Sequence, residues 1–504
     1  MAIVVPLIIA VAEVENVAHP MIVRVAAENV VRLMIVQAVV ENAGLLMIAP
    51  VAAESVAPLT TVRVAVDDVV HPILAQAVDF NYMLSDILSI YQKDDKYLVL
   101  NSQVPAWVVT NLTGLAALKL YCENKSFEFT AEFISHKNKG IQKKSIIDFL
   151  KSAEKESLFC EDVFEHIHHP YFLSNIYLNM TQKCNLHCIY CYASARKEHG
   201  KSNLEYDDYV HFLDDAKKIS AELNITFTGG EPLLSENTLP VAKYAKSLGM
   251  GTKILTNATL ITEKNVKDIC KVFKHFQISM DGSTSALHNH YRGKDSFEKT
   301  VKAIELLKSN DVDVKIAMTL TKENSFDVNA MNEKWGGYLT FQPLFPMGRA
   351  ENDKNVLSGL EYYDVLTSNE KISPFSDING IIQAHRENRT IHKCAMGDGE
   401  ISISCTGDVY PCQLLHFDEF YLGNIRESSL EEIYNSEKNN KFKTHTVDCI
   451  EKCKSCDFRY LWGGACQARH FSETGSIDKA GDFCEYEKKG IIEGLINSCE
   501  MTDV

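Results

Sequence analysis

Three cysteines, Cys184, Cys188 and Cys191, form a C-x3-C-x2-C motif on one short stretch of the chain. Three thiolates at this spacing can hold three irons of a [4Fe–4S] cluster and leave the fourth iron open to another ligand. An open coordination position is what a catalytic metal site needs. A zinc site is the alternative, but the C-x2-C pairing typical of zinc does not fit three cysteines in this arrangement. The motif therefore predicts a catalytic iron–sulfur centre.

Further polar segments follow the cysteine motif, each at or beyond the carboxyl end of a predicted strand. In chain order they are Thr228-Gly229-Gly230-Glu231-Pro232, Leu255-Thr256-Asn257, Ser279-Met280-Asp281-Gly282 and His290-Tyr291-Arg292-Gly293. Barrels of alternating strands and helices place their active sites at that end. With Tyr190 and Tyr192 inside the cysteine motif, these segments resemble the radical S-adenosylmethionine (SAM) superfamily.

The resemblance implies how the methionine end of SAM is held. Its amine and carboxylate bind the open iron of the cluster on the three motif cysteines. Glu231 and the backbone of Gly229 and Gly230 receive the amine, and Arg292 pairs with the carboxylate through a charge-assisted contact. A surface ion pair is the alternative for Arg292, and a simple turn role is the alternative for Asp281.

The same resemblance implies the reaction class. Ser279 and Asn257 hold the ribose or nearby polar atoms, and Tyr190 lines the adenine side. An electron from the cluster cleaves SAM into methionine and a 5′-deoxyadenosyl radical, which removes a hydrogen from an unactivated position. The cofactor supplies this chemistry, and the protein positions the radical against its target and excludes competing reactions.

Strands and helices must alternate to place these segments on one rim. The candidate strands are Asn175–Met180, Ile225–Thr228, Thr252–Thr256, Gln277–Met280, Val314–Thr319 and Tyr338–Gln342. Helical patterns lie between most of them, including Asp208–Leu223 and Phe297–Ser309. This alternation indicates βαβ units and a parallel sheet or barrel. The predicted fold is α/β, with a partial (β/α)6 radical SAM barrel over residues 171–350.

A second set of cysteines follows the barrel. They are Cys394, Cys412, Cys453, Cys456, Cys466 and Cys484. Their order resembles the SPASM extension of radical SAM peptide maturases, which holds up to two auxiliary iron–sulfur clusters. The predicted cysteine-rich domain spans residues 394–490, after a connector over residues 351–393. The family's interleaved pattern implies a first auxiliary cluster on Cys394, Cys412 and Cys466. It implies a second on Cys453, Cys456 and Cys484.

The match to SPASM sequences has one defect. Trp462 lies six residues after Cys456, where these sequences usually have a cysteine. Tryptophan cannot ligate iron, so two extra cysteines are candidates to compensate. Cys405 is the candidate for the first cluster and Cys449 for the second. The alternative is that one site is incomplete or empty.

Residues 80–160 precede the barrel with a different pattern. Tyr97–Asn101 and Trp107–Thr110 are β-rich, and Leu112–Tyr121 and Ser145–Glu156 are helical. This winged-helix-like α+β module resembles the leader-binding element of ribosomal peptide pathways, which binds a leader peptide as an added strand. A generic winged helix is the alternative, but the strong basic charge that DNA binding needs is missing.

Residues 1–79 contain no Lys, Cys, Phe, Tyr or Trp and repeat with a 13-residue period. Met21, Met34 and Met47 begin successive units. The functional interpretations are a scaffold or a substrate-like peptide fused in cis. The favoured alternative is a disordered or spurious extension from a translated DNA repeat, because no aromatic residue is present to anchor a core.

Bulk composition limits the remaining possibilities. The chain has 504 residues, of which 46% are hydrophobic and 23% charged, and a formal net charge of -16. This length predicts several domains, and the acidic balance argues against nucleic acid. Fifteen cysteines without an export signal indicate metal binding. Glu13 follows the apolar residues Met1–Ala12 too soon for a membrane span, so we expect a cytoplasmic protein.

Together these parts predict a radical SAM enzyme that oxidatively modifies a ribosomally made precursor peptide. The expected products are thioether or carbon–carbon cross-links or related changes. The expected partners are a precursor peptide bound through its leader and an external electron donor of the flavodoxin or ferredoxin type, with no nucleic acid and no membrane. The alternatives are a sulfatase-maturase-like enzyme, a small-molecule or haem-pathway enzyme, and a non-catalytic iron–sulfur redox or binding protein.

Overall fold

The computed structural model describes residues 87–160, 172–194, 203–368, 372, 378–387 and 390–498, and the backbone of three earlier strands. The chain divides into two units, Met1–Tyr82 and Met83–Val504. In the first unit, β1 (Pro20–Ala27), β2 (Val30–Glu41) and β3 (Leu45–Pro50) form an antiparallel sheet. The rest of the repeat extension lies outside the described residues, so its proposed origin stays a prediction.

The α+β module begins the second unit. Its antiparallel sheet has the order β4 (Leu88–Lys93), β5 (Lys96–Asn101), β6 (Ala106–Thr110). Three helices follow: α1 (Leu112–Asn124), α2 (Phe127–Lys137) and α3 (Lys143–Lys155). Asn111 begins the first of them, because its side chain accepts a hydrogen bond from the backbone N–H of Gly114 at 3.0 Å.

Six parallel strands form the centre of the molecule. They are β7 (Asn175–Asn179), β8 (Asn224–Thr228), β9 (Gly251–Thr256), β10 (His275–Ser279), β11 (Asp313–Leu320) and β12 (Leu339–Pro343). The helices between them are α4 (Tyr206–Ile219), α5 (Thr238–Ser247), α6 (Val266–Val272), α7 (Ser285–Arg292), α8 (Ser296–Lys308) and α9 (Val328–Trp335). Consecutive strands pair in parallel, which confirms the predicted partial (β/α)6 barrel.

The central strands are apolar because both of their faces are covered. Ile225, Phe227 and Ile278 have no exposed surface. Helix α4 packs on the sheet through Leu213 and Ala216, which belong to the same buried core. Parallel sheets buried on both sides have this near-continuous apolar character. Polar function is therefore confined to the loops at the strand ends.

The cysteine-rich region extends the same sheet. Strand β13 (Glu400–Ile403) pairs in parallel with β7, and β14 (Asp408–Tyr410) and β15 (Gly423–Asn424) follow in antiparallel pairing, so the sheet has nine strands. The remaining helices are α10 (Gly359–Thr367), α11 (Ile378–Arg386), α12 (Leu430–Tyr434), α13 (Glu437–Lys443), α14 (Arg459–Trp462), α15 (Gln467–Thr474) and α16 (Cys484–Ser498). The predicted domain boundaries within this unit stay predictions.

The N-terminal module packs directly on the cysteine-rich region. Leu98 of β5 and Leu495 of α16 lie in one buried core and have no exposed surface. At its edge, the Tyr91 hydroxyl donates a hydrogen bond to the carboxylate of Asp457 at 2.5 Å. The ring of Tyr91 also lies 5.1 Å from that of Phe458. The module is therefore bound to the segment that contains Cys456.

We expect Leu495→Ala to destabilise the protein by about 2–5 kcal/mol, because it removes a fully buried side chain between the module and α16. Urea denaturation of the apoprotein, followed by circular dichroism, measures this loss. The control is Leu360→Ala, since Leu360 is 46% exposed and its truncation should change stability by about 0.5 kcal/mol or less. Equal effects of the two substitutions would contradict this packing.

Candidate active site

The three motif cysteines lie on the loop that follows β7. Cys184, Cys188 and Cys191 all line one cavity of about 520 Å³ at the carboxyl ends of the strands. Burial, together with the nearby Glu231, Cys188 and Cys191, raises the pKa of Cys184 to about 11. The three sulfurs therefore belong to residues that surround the same space.

The glycines after β8 are required because the cysteine loop approaches them closely. A Cβ atom on Gly229 would lie 2.5 Å from the carbonyl oxygen of Thr181, and one on Gly230 would lie 2.1 Å from that of Lys183. The backbone N–H of Gly230 donates to the Thr181 carbonyl at 2.7 Å, and that of Glu231 donates to the Lys183 carbonyl at 2.9 Å. These contacts fix the start of the cysteine loop on the second strand.

The Glu231 carboxylate, predicted to meet the amine of SAM, lies in a buried network at the ends of β8 and β9. Its side chain has no exposed surface, and its carboxylate accepts hydrogen bonds from the Thr256 hydroxyl at 2.8 Å, the Asn257 N–H at 2.9 Å and the Leu233 N–H at 3.2 Å. Burial raises the pKa of Glu231 to about 7. The carboxylate therefore joins the ends of β8 and β9 and is directed into the protein interior, whereas Gly229 and Gly230 line the cavity.

Asp281 is the centre of a buried network and not a simple turn residue. It has no exposed surface, and its carboxylate accepts hydrogen bonds from the Tyr190 hydroxyl, the Arg292 guanidinium and the Thr319 N–H. Arg292 is only 9% exposed, so the surface ion pair considered for it is excluded. Its terminal nitrogen lies 4.0 Å from the sulfur of Cys188. The guanidinium is thereby held between a carboxylate and the cysteine loop, and both Tyr190 and Arg292 line the cavity.

Two predicted SAM contacts lie on neighbouring strand ends. Asn257, after β9, donates a hydrogen bond to the side-chain oxygen of Asn185 at 3.0 Å and lies 3.9 Å from the sulfur of Cys184. Ser279 ends β10 and lines the cavity beside it. The structure thus brings both side chains to the cysteine site.

Sequence reasoning missed Gly348 and Arg349, which support the cysteine loop from the end of β12. A Cβ atom on Gly348 would lie 2.6 Å from the carbonyl oxygen of Cys191, and its φ of 62° favours glycine. Arg349 donates its backbone N–H to the same carbonyl at 3.0 Å and its side-chain Nε to the Cys188 carbonyl at 2.7 Å. The Gly-Arg pair after the last predicted strand was the only available signal.

The members of the first predicted auxiliary set lie near one another. Cys394, Cys412 and Cys466 come from separate parts of the chain, yet Cys394 and Cys466 raise the pKa of Cys412, and Cys394 raises that of Cys466. Cys405, the predicted additional member of this set, is 1% exposed, and its thiol lies beside the backbone of Gln182. Its membership stays a prediction.

The second auxiliary set is also assembled. Cys453, Cys456 and Cys484 line a smaller cavity, and the latter two raise the pKa of the first. Cys449, the predicted fourth member, is exposed at the end of a short turn and does not line this cavity, so its membership stays a prediction. Among the described residues, no group of three or more His, Cys, Asp or Glu side chains has the geometry to hold a single metal ion.

Comparison with known protein families agrees with this geometry. A model of the radical SAM superfamily matches residues 178–333, and a model of SPASM, an iron–sulfur cluster-binding domain, matches residues 394–457. The chain is a radical SAM enzyme with an SPASM domain. Iron–sulfur clusters and SAM are therefore its cofactors, and the cysteine sets described above fit a group larger than one ion.

Several curated relatives resemble this radical SAM enzyme over most of their length. The AdoMet-dependent heme synthase of Methanosarcina barkeri is 26% identical over 61% of this chain and 95% of its own. The subtilosin biosynthesis protein AlbA of Bacillus subtilis is 29% identical over 63% of this chain and 72% of its own. The mycofactocin maturase MftC of Mycolicibacterium smegmatis is 25% identical over 60% of this chain and 81% of its own.

A solved structure shows the same fold. The structure of anSMEcpe with bound AdoMet superimposes with a TM-score of 0.53 at 22% identity, over 64% of this chain and 93% of that one. In the part of the chain that the structure describes, no helix has both the length and the apolar character needed to span a membrane.

We expect Gly230→Ala to displace the cysteine loop, because the added methyl group would overlap the Lys183 carbonyl. A displacement of about 1 Å at a reacting centre can lower the rate by about a hundredfold. Anaerobic reconstitution, iron analysis and the rate of 5′-deoxyadenosine formation measure the effect. Gly337→Ala is the control, since no heavy atom lies within 4 Å of its added methyl group. A normal rate in Gly230→Ala would contradict the close approach.

We expect Asp281→Asn to destabilise the apoprotein by about 3–5 kcal/mol, because it leaves the buried charge of Arg292 without its partner. Urea denaturation measures the change. Asp313→Asn is the matched control: Asp313 is 52% exposed in its pair with His275, and its loss should cost about 1 kcal/mol or less. A loss in Asp281→Asn no larger than in the control would show that the buried pair is not needed for folding.

Proposed function

We propose that this radical SAM enzyme oxidatively modifies a ribosomally made precursor peptide, forming a thioether or carbon–carbon cross-link or a related product. The observation that favours this function most is the shared cavity. Residues of the motif site, including Cys184, and residues of both auxiliary sets, including Cys466 and Cys484, line the same space. A peptide segment bound there would lie between the SAM site and the auxiliary sites. The names of AlbA and MftC support a substrate of this class.

Cys184, Cys188 and Cys191 are proposed to hold the cluster that binds SAM. When bound, this cluster supplies the electron for reductive cleavage of SAM. The backbone of Gly229 and Gly230 lines the space for the amine of SAM. Arg292 would meet its carboxylate while Asp281 keeps the guanidinium oriented.

The remaining polar contacts belong to the nucleoside end of SAM. Ser279 and Asn257 would bind the ribose or nearby polar atoms, and Tyr190 would line the adenine side. Glu231 acts through the loop that it holds, as its hydrogen bonds to the end of β9 indicate.

The auxiliary clusters are proposed to follow the two cysteine sets. The first uses Cys394, Cys412 and Cys466, and the second uses Cys453, Cys456 and Cys484. An external donor of the flavodoxin or ferredoxin type would supply electrons in the cytoplasm. The enzyme would need neither nucleic acid nor a membrane.

The N-terminal module is the proposed leader-binding element. One face of its sheet packs on α16 and α14, so a leader strand would add at an edge strand, β4 or β6. Tyr91 at the β4 edge contacts Asp457, next to Cys456. A leader bound at this edge would lie beside the second auxiliary set. The module precedes both matched family regions.

Modification of a protein side chain is the second candidate. A cysteine-type anaerobic sulfatase-maturating enzyme of Clostridium perfringens is 26% identical over 61% of this chain and 92% of its own. The module at residues 88–155 favours a leader-bearing peptide over this alternative, because a folded protein substrate brings no leader strand.

The decisive experiment is anaerobic turnover with SAM, a reductant and a short peptide encoded next to this gene. We expect 5′-deoxyadenosine together with a peptide that has lost the mass of two hydrogens for each cross-link. The variant with Cys184→Ala, Cys188→Ala and Cys191→Ala should form neither product.

Two further outcomes separate the proposals. Formation of 5′-deoxyadenosine with no change in the peptide would reject the peptide substrate and keep the radical SAM chemistry. Peptide modification that survives removal of the leader would reject the role of the module. A fully iron-loaded enzyme that forms no 5′-deoxyadenosine with or without peptide would reject the enzymatic proposal.

A further inference from the structure

The second auxiliary set has three cysteines for a cluster of four irons. Such clusters are usually held by four protein ligands. The position where a fourth cysteine is expected is occupied by Trp462, whose indole has an N–H donor and no atom able to bind iron. Cys449 is exposed and lies outside this cavity's lining. Another side chain is needed if the fourth iron has a protein ligand.

Helix α16 brings a carboxylate to this position. The helix begins at Cys484, and Glu487 follows three residues later, so both side chains project from the same face. Glu487 lines the smaller cavity together with Cys453, Cys456 and Cys484. No loop movement is therefore needed to place a carboxylate and three thiols around one space.

Trp462 and this carboxylate lie on the same cavity walls. Both Trp462 and Glu487 line the smaller and the larger cavity. Glu487 is half-buried, and a carboxylate that loses contacts with water is stabilised by pairing or by binding a metal. The neighbouring cations have other carboxylate partners: Lys488 pairs with Glu485 at 3.3 Å, and Arg469 pairs with Glu473. The residue that replaces the expected cysteine thus lies beside a side chain of a different ligand type.

We propose that Glu487 is the fourth protein ligand of a second auxiliary [4Fe–4S] cluster held by Cys453, Cys456 and Cys484. One carboxylate oxygen binds the iron that lacks a thiolate. This inference rests on the cluster sites of the proposed function, but it does not require that the substrate is a peptide. It assigns the second auxiliary cluster three sulfur ligands and one oxygen ligand.

The test uses the full-length chain with Cys184→Ala, Cys188→Ala and Cys191→Ala, so that only auxiliary clusters remain. After anaerobic reconstitution with ⁵⁷Fe, iron analysis and Mössbauer spectroscopy measure cluster content and ligand type. We expect about eight irons per chain, about four in each auxiliary cluster. About one of the four irons in the second cluster should have an oxygen ligand. The measurement needs neither SAM cleavage nor a peptide, so failure of the proposed function does not affect it.

Three variants in this background test the ligand. Glu487→Gln should lose the oxygen-ligated iron and leave a three-iron cluster or an empty site. Glu487→Cys should keep about eight irons but lose the oxygen-ligated signal, because a thiolate replaces the carboxylate. Glu487→Gln combined with Trp462→Cys should regain the lost iron through a cysteine at the usual position. Glu485→Gln is the matched control and should behave like the parent.

Several results would overturn the proposal. A parent protein with about four irons would show that one site is empty, and an iron content that Glu487→Gln leaves unchanged would show that the empty site is the second. A parent spectrum without an oxygen-ligated iron, or one that Glu487→Gln leaves unchanged, would show that Glu487 is not a ligand. If Glu487→Gln misfolds by circular dichroism, the Glu487→Cys variant decides alone: its spectrum must lose the oxygen-ligated signal at full iron content.

Discussion

The structure depends on the contact between two turns, the one leaving β7 and the one leaving β8. Backbone N–H groups of Gly230 and Glu231 donate to carbonyls of Thr181 and Lys183, and no side chain fits between the two turns. These backbone hydrogen bonds thus fix the position at which the cysteine loop starts. Because Glu231 also accepts hydrogen bonds from the Thr256 hydroxyl and from the backbone after β9, the same contact extends across three adjacent strands.

Electrostatic interactions also stabilise the cysteine site. An iron–sulfur cluster on thiolates is anionic, and in a low-dielectric site it needs nearby positive charge. Arg292 supplies that charge beside Cys188, and Asp281 holds it in place. Removing a guanidinium from water is costly without a partner. Asp281, for which a simple turn role was the alternative, therefore stabilises the buried charge of Arg292. Arg292 in turn stabilises the site.

The sequence patterns predicted the elements better than the contacts between them. Six strands and the motif cysteines follow from local spacing, since each signal lies within a few residues, whereas the two auxiliary sets were implied by the resemblance to SPASM sequences. The role of Asp281 depends on Tyr190, 91 residues away, and that of Arg349 on the backbone carbonyl of Cys188, 161 residues away, and no local pattern shows these partners. Cys405 and Cys449 show the limit of spacing as a signal. Both lie at suggestive spacings, but neither lines the cavities that members of their sets line.

The pairing of strands in the sheet determines which cysteines lie next to the motif cysteines. Strand β13 pairs in parallel with β7, so their carboxyl ends meet at the same edge. The loop after β7 contains Cys191, and the hairpin after β13 leads to Cys412. Tyr192 lies near both, since the thiols of Cys191 and Cys412 raise its pKa. Adding one parallel strand to the barrel therefore brings Cys412 to the edge of the sheet that carries the motif cysteines. Cys191 and Gln413, the neighbour of Cys412, accordingly line the same cavity.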